Sequence, residues 1–254
     1  MNLILLEPDE IQADGTAVLA GKRARHVREV LQAGEGEEIR VGVVEGAMGT
    51  ATILEDAKQL RLQCILTDKA PPVPRVDLLL AMPRPKVMNR LWPVLASLGV
   101  GRILISNAWK TERSYFDTHV LEAGHIREGL VEGLQQARDT RLPQVSVHKQ
   151  FKKLIEDKLD TFGPYAARIV AHPGAGSFPS ERLAALPKDS RILLAIGPEG
   201  GWTPFELERL AQHGFDAASW GPRVLRTDTA CAVLLGLVHA GLAQCCRGEE
   251  PNDG

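Results

Sequence analysis

Aromatic residues are scarce, with Phe, Tyr and Trp making up 5% of the 254 residues. Charge imbalance is missing too: 30 Lys and Arg face 32 Asp and Glu, a formal net charge of −2. That balance excludes a wholesale polyanion binder but leaves room for a local basic face, so nucleic acid, if bound, must be met by patches. No run of about eighteen uncharged apolar residues occurs, and no membrane span is expected. The amino terminus, MNLILLEPDE, has no basic segment before its short apolar run and does not describe a signal peptide. The four cysteines, Cys64, Cys231, Cys245 and Cys246, form no C-x-x-C pair and have no His at zinc-ligand spacing. Reduced thiols in a cytoplasmic protein are expected, with no disulfide framework and no metal site. The phosphate-loop pattern G-x-x-x-x-G-K-[ST] and the hydrolase pattern G-x-S-x-G are both absent.

What is present is a chain 44% hydrophobic and long enough for one large domain or two ordinary ones. Residues 2 to 66 carry short alternating runs at Leu3 to Leu6, Thr16 to Leu19, Glu38 to Val44, Thr50 to Leu54 and Leu60 to Leu66. The segment Glu45 to Gly49 reads as a hairpin turn, and small all-β modules of this spacing usually close into a barrel. One helical segment, GKRARHVREVLQAGEG, interrupts them, with Val27, Val30 and Leu31 as a core-facing stripe and Gly34 as a stop. Its other side carries Lys22, Arg23, Arg25, His26 and Arg28, which reads equally well as a solvated face or as a phosphate-binding patch. Three prolines in the nine residues from Thr67 to Arg75 describe a semi-rigid linker and a domain boundary.

Beyond it, strand and helix patterns alternate. Strands are expected at Val76 to Met82, Arg102 to Ser106, Val145 to His148, Arg168 to Ala171, Ile192 to Ile196 and Ala217 to Trp220. Helices are expected at Val87 to Leu98, around Pro93, and near Val120 to Ala137, Phe151 to Leu159, Ser180 to Leu186 and Thr203 to His213. This is the pattern of a mostly parallel sheet with helices on both faces. A last helix, from about Thr229 to Cys246, is apolar or small nearly all round, which predicts burial on every side, in its own domain or against a partner subunit. The closing EEPNDG reads as disordered.

Two strand ends open into Gly/Pro loops, Gly197-Pro198-Glu199-Gly200-Gly201 and Gly221-Pro222-Arg223. Glycine lets backbone approach a ligand closely, and ligands of open α/β sheets sit outside the carboxyl ends of the strands. After the first loop, Thr203, Pro204 and Glu206 make a capping box that aims a helix N-terminus at the same place. A dinucleotide fingerprint would open the first strand-helix turn, and these loops stand near the end of the chain. The residues thus predict one adenosine-sized pocket, with its chemistry open.

IGPEGGWTPFELE followed by WGPRVLRTDTA resembles the C-terminal signature of the ribosomal RNA small subunit methyltransferase E family of the SPOUT superfamily. Further matches run along the chain: H-V-R-E-V-L at His26 to Leu31, Ser97-Leu98-Gly99-Val100, Glu112-Arg113-Ser114, and Gln135 to Arg138 followed by Pro143. The resemblance implies an α/β protein with an N-terminal PUA-like, RNA-binding β-barrel over residues 1–70. Over residues 76–248 it implies a SPOUT methyltransferase domain with a deep trefoil knot, threaded by the last helix. It implies a homodimer packed through the knot, S-adenosylmethionine as cofactor, and methylation at N3 of a uridine in 16S rRNA, on naked RNA or on the small ribosomal subunit. His172, Pro173, Gly197, Gly201, Trp220, Gly221, Pro222, Leu225, Arg226 and Thr229 would surround the cofactor. Arg226 would stabilise charge developing on the uracil, Glu199 and Asp228 being the candidate bases. RNA contacts are expected from Lys22, Arg23, Arg25, Arg28, Arg84, Lys86, Lys110, Arg113 and Arg138, with Arg113 and Arg138 as alternative structural ion pairs. The alternatives are 2′-O-ribose methylation of rRNA or tRNA by another SPOUT enzyme and a non-catalytic RNA-binding assembly factor.

Overall fold

In the computed structural model, which describes residues 3–244, the first alternating runs become five strands: β1 (Ile4–Leu6), β2 (Thr16–Leu19), β3 (Glu38–Val43), β4 (Met48–Asp56) and β5 (Leu60–Asp68). They form one sheet in the order β1-β3-β4-β5-β2, in which β1 runs parallel to β3 and the other pairs are antiparallel. Ile39, Val41, Ala51, Ile53, Leu60 and Leu62 are buried, while Glu38, Arg40 and Arg61 between them are exposed, as a two-residue period requires. The hairpin turn is tighter than Glu45 to Gly49. The Gly46 N–H donates to the Val43 carbonyl at 2.8 Å, and Met48 and Gly49 already belong to β4. Gly49 is there for close approach: a Cβ at this position would lie 2.0 Å from the Ile65 carbonyl oxygen.

The helix α1 (Gly21–Glu29) stops five residues short of Gly34. The N–H groups of Val30 and Leu31 both donate to the His26 carbonyl, and Gln32 takes φ +54°, so the chain turns away. Val27 is fully buried, but Val30 is left 63% exposed and is not part of the core stripe.

The chain divides into two compact units, one comprising residues up to Val73 with Glu128–Leu142, the other Pro74–Arg127 with everything from Pro143. The returning segment is stitched into the first unit, where the Gln135 carbonyl accepts the Leu3 N–H at 3.0 Å and Thr140 Oγ1 donates to the Gly46 carbonyl at 2.8 Å.

The second unit holds β6 (Val76–Ala81), β7 (Val100–Ser106), β8 (Gln144–His148), β9 (Ala167–Ala171), β10 (Ile192–Ile196) and β11 (Phe215–Ala218). All pairs are parallel, in the order β11-β9-β10-β6-β7-β8. Its helices are α2 (Pro85–Ser97), α4 (Phe151–Lys153), α5 (Ser180–Ala184), α6 (Pro204–Gln212) and α7 (Thr227–Gln244), while α3 (Ala123–Ala137) starts in this unit and from Glu128 belongs to the first. The expected helix at Val120 begins instead as a 3-10 turn, His119–Leu121, ahead of α3, and α4 continues as a π turn, Leu154–Lys158. β11 sits two residues earlier than expected, so Ser219 and Trp220 fall in the loop that follows it. Because every strand runs the same way, the carboxyl ends of β6 to β11 and the loops after them share one edge of the sheet.

β6 and β10 are buried along their whole length, as their runs of apolar residues require. Asp77 stands inside β6, fully buried, and is satisfied by two bonds from Arg191 Nη2 (2.7 and 2.8 Å) and one from the Tyr165 hydroxyl (2.9 Å), with Arg102 at 3.6 Å. Burial foremost, then the charge of Asp77, pushes the Tyr165 hydroxyl well up, so the phenol remains a donor.

α7 is not covered on all sides within one chain. Cys231, Leu234, Leu235, Val238 and Leu242 are buried, but Ala232, Gly236, Ala240 and Ala243 form an exposed line of small residues. Cys64 and Cys231 are free and buried, whereas Cys245, Cys246 and the EEPNDG tail lie outside the described residues. Among the described residues no helix is long and apolar enough to cross a membrane, and no three His, Cys, Asp or Glu side chains gather as a metal site.

Candidate cofactor site

β10 ends at Ile196, and the glycine loop that follows turns on itself, the Gly201 N–H donating to the Pro198 carbonyl at 2.8 Å with Gly201 at φ +69°. The loop feeds α6 through the expected capping box: Thr203 Oγ1 accepts from the Glu206 N–H at 3.3 Å, and Glu206 Oε2 accepts from the Thr203 N–H at 2.8 Å. Glu206 is buried because its second oxygen has its own task, accepting the Trp109 N–H at 2.7 Å. Lys110 adds a bond from Nζ to the Gly200 carbonyl at 2.7 Å. The loop after β10 is therefore clamped to the loop after β7. Gly197 leaves room for an indole: a Cβ there would come within 3.1 Å of the Trp202 ring, which is buried against Phe151.

The loops after β9 and β11 close the other side. The His172 N–H donates to the Ala218 carbonyl at 3.0 Å, and the Ser219 N–H donates to the Gly176 carbonyl at 2.8 Å. Between the three loops lies a cavity of about 330 Å³, walled by His172, Pro173, Gly197 to Trp202, Trp220 and Leu225, with Ala230 and Leu234 of α7 also lining it. Its size falls in the range of small-molecule sites. Two of its wall residues carry buried polar atoms with no partner, His172 Nδ1 and Trp202 Nε1. Buried polar groups are ordinarily hydrogen-bonded, but protein covers both of these atoms, so the glycine-loop backbone and the apolar side chains are what the cavity presents to a ligand.

A second hollow of about 380 Å³ shares Glu199, Val224, Leu225 and Thr227 with the first and adds Arg84, Val87, Arg226 and Asp228. The Arg226 side chain is 75% exposed and is held 3.6 Å from Asp228, which also pairs with Arg90 at 3.4 Å. Glu199 accepts the Arg84 N–H at 3.1 Å, the role of a loop-stabilising acceptor.

The model of an RNA methyltransferase domain matches residues 69–239. The chain is also 30% identical to the ribosomal RNA small subunit methyltransferase E of Treponema pallidum, over 94% of this chain and 92% of that protein. It belongs to the ribosomal RNA small subunit methyltransferase E family. Among solved structures, a probable rRNA-methyltransferase from Porphyromonas gingivalis superposes with a TM-score of 0.73 at 24% identity, covering 97% of this chain and all of that one. The family's enzyme from Neisseria gonorrhoeae, solved bound to S-adenosyl methionine, superposes with a TM-score of 0.71 at 21% identity, over 93% of this chain and 95% of that one.

In this family member every residue of the cavity wall lies inside the matched segment. Of the residues expected around a cofactor, His172, Pro173, Gly197, Gly201, Trp220 and Leu225 line the cavity. Gly221 and Pro222 line an adjoining hollow with Gly174 and Ser177, Arg226 lines the second hollow, and Thr229 is exposed on α7. Of the expected RNA contacts, Lys22, Arg25, Arg84, Lys86 and Arg113 are exposed. Arg23 is ion-paired with Glu10, whose carboxyl it holds below the usual range, and Arg28 is ion-paired with Asp56 at 2.7 Å. Arg138 sits in the first unit at φ +58°, and Lys110 belongs to the loop clamp. Trp202, Ala230 and Leu234 were not expected in the wall; the indole directly after the glycine loop was the one available signal.

Proposed function

We propose that the chain is an S-adenosylmethionine-dependent methyltransferase acting on N3 of a uridine in 16S rRNA, with the cofactor in the 330 Å³ cavity and the base in the neighbouring hollow. The observation that carries this is the cavity between three glycine-rich strand ends. The relatives named as small-subunit rRNA methyltransferases, and the S-adenosyl methionine bound to the Neisseria enzyme, support it.

His172 and Trp202 would wall the cofactor, Gly197 and Gly201 would let it lie against backbone, and Leu225 and Leu234 would cover its apolar parts. When bound, S-adenosylmethionine supplies a methyl group activated by a sulfonium. Uracil N3 is a poor nucleophile until its proton leaves, here to the solvent onto which the hollow opens, and the charge then spreads onto the flanking carbonyl oxygens. Arg226, opening onto the shared hollow, stabilises that charge, which grows toward the transition state. We assign Asp228, set between Arg90 and Arg226, to aligning the guanidinium rather than to taking the proton.

The same reading makes the five-stranded unit a PUA-like RNA-binding barrel, residues 1–70, and the parallel unit a SPOUT domain, residues 76–248, with a trefoil knot. A homodimer would cover the exposed line Ala232, Gly236 and Ala240, which apolar surface on an otherwise buried helix supports. The test incubates the protein with labelled S-adenosylmethionine and unmodified small subunits, beside naked 16S rRNA, and maps the label. Label on uracil N3 is expected; label on a ribose 2′-oxygen would move the chain to another SPOUT activity.

A further inference from the structure

Trp109 is 85% exposed, whereas Trp92 and Trp202 are buried. An exposed indole forgoes the burial that so large an apolar side chain ordinarily gains. Nor is this a loose loop. Ala108 and Thr111 on either side are buried, and the Thr111 N–H donates to the Ala108 carbonyl at 3.0 Å to close a tight turn. The Trp109 N–H is held by Glu206 and the next residue, Lys110, by the Gly200 carbonyl. A rigid turn thus carries the indole outward.

Its surroundings say what it faces. Lys110 lines the cavity but Trp109 does not, so the indole stands outside the wall, one residue from it. Strand order β6-β7-β8 puts the loops after β6 and β8 on either side of this turn. The first, with the start of α2, carries Arg84 and Lys86, and the second, with α4, carries Lys149 and Lys153. The segment after β7 touches the second directly: Asp117 lies 3.5 Å from Lys149, and the Asn107 N–H donates to the His148 carbonyl at 3.0 Å. An exposed aromatic between two sets of cations is the arrangement that binds single-stranded nucleic acid, cations tracking the phosphates while the ring takes a base.

We propose that Trp109 is a stacking platform for an unpaired base of the RNA substrate, beside the nucleotide that enters the site. It is a positioning residue, and the proposal rests on the RNA methyltransferase reading above. The experiment measures methyl transfer to unmodified small ribosomal subunits by the wild type and by Trp109→Ala, Trp109→Phe and Trp109→Leu. Stacking predicts that Trp109→Ala raises KM for the subunit by about 5- to 150-fold, the range carried by base–aromatic stacking, with kcat nearly kept. Trp109→Phe should restore most of the loss and Trp109→Leu little of it, while thermal midpoint and S-adenosylmethionine affinity stay unchanged in all three. An unmoved KM in Trp109→Ala, or equal rescue by Leu and Phe, overturns the proposal, the latter marking an apolar contact with protein. If the wild type transfers no methyl group, the enzymatic reading fails, and a second arm still judges stacking. Single-stranded oligouridylate should quench more emission in the wild type than in Trp109→Phe, and equal quenching overturns the platform.

Discussion

Asp77→Asn would remove a buried charge that ties the amino ends of the parallel strands together. The carboxylate is fully buried and receives Arg191 at 2.7 Å, the Tyr165 hydroxyl at 2.9 Å and Arg102 at 3.6 Å. Removing one partner of a buried ion pair typically costs about 3–5 kcal/mol, because the other charge is stranded. Here the side chains of Arg191 and Arg102 keep 29% and 21% exposure, so water recovers part of the loss. We expect about 2–3 kcal/mol, which for a unit of this size lowers its Tm by roughly 4–12 °C. Asp77→Ala should cost more, since it also orphans the Tyr165 hydroxyl. The assay is thermal and urea unfolding followed by circular dichroism. Asp77 lies at the opposite end of β6 from the cavity, so S-adenosylmethionine affinity of the folded protein should stay within about twofold. A loss under about 0.5 kcal/mol would refute the stranded-charge argument.

Three further outcomes are expected. Gly49→Ala places a Cβ 2.0 Å from the Ile65 carbonyl, and since backbone cannot yield as a side chain does, urea unfolding should show a loss of about 2–3 kcal/mol or more; a wild-type midpoint would contradict the close approach. Burial foremost holds the pKa of His239 below its ordinary 6.5, so the native state binds fewer protons than the unfolded chain. Stability is then full above pH 6.5 and falls as the pH is lowered toward the folded-state value. His148 is lowered in the same direction, so the comparison is between wild type and His239→Gln: the variant should lose less stability between about pH 7.5 and 5, and parallel curves would clear His239. Arg226→Ala should keep cofactor affinity within about tenfold, near 1.4 kcal/mol, while turnover falls at least about a hundredfold; wild-type turnover would remove Arg226 from the mechanism.

Local rules made much of this legible. Thr203, Pro204 and Glu206 specify a helix start by chemistry within four residues, and β10 is a saturated apolar run between polar ends, so both fall where the sequence places them. The misses are long-range. Val30 fits the helical period, but the chain leaves the helix one residue earlier, and only the fold decides that. Asp77 was swept into an apolar run; a carboxylate in a strand buried on both faces needs partners, yet those partners, Arg191 and Tyr165, lie 114 and 88 residues away. At the site, the glycine loops were readable because glycine does one job there. The clamp formed by Lys110, Trp109 and Glu206 was not, since it joins the loops after β7 and β10. The all-round apolarity of α7 pointed to burial in its own domain or against a partner subunit, and Ala232, Gly236 and Ala240 are open in the single chain.

The central claim is that the cavity between the loops after β9, β10 and β11 is the S-adenosylmethionine site. Calorimetric titration of S-adenosylmethionine into the wild type and Gly197→Ala tests it most directly. The new Cβ would lie 3.1 Å from the Trp202 indole, a wall of the cavity that is packed against Phe151, so the wall must shift to admit it. The account predicts one site per chain in the wild type and binding at least about tenfold weaker in the variant, a loss near 1.4 kcal/mol. Equal affinity in the two proteins would contradict it.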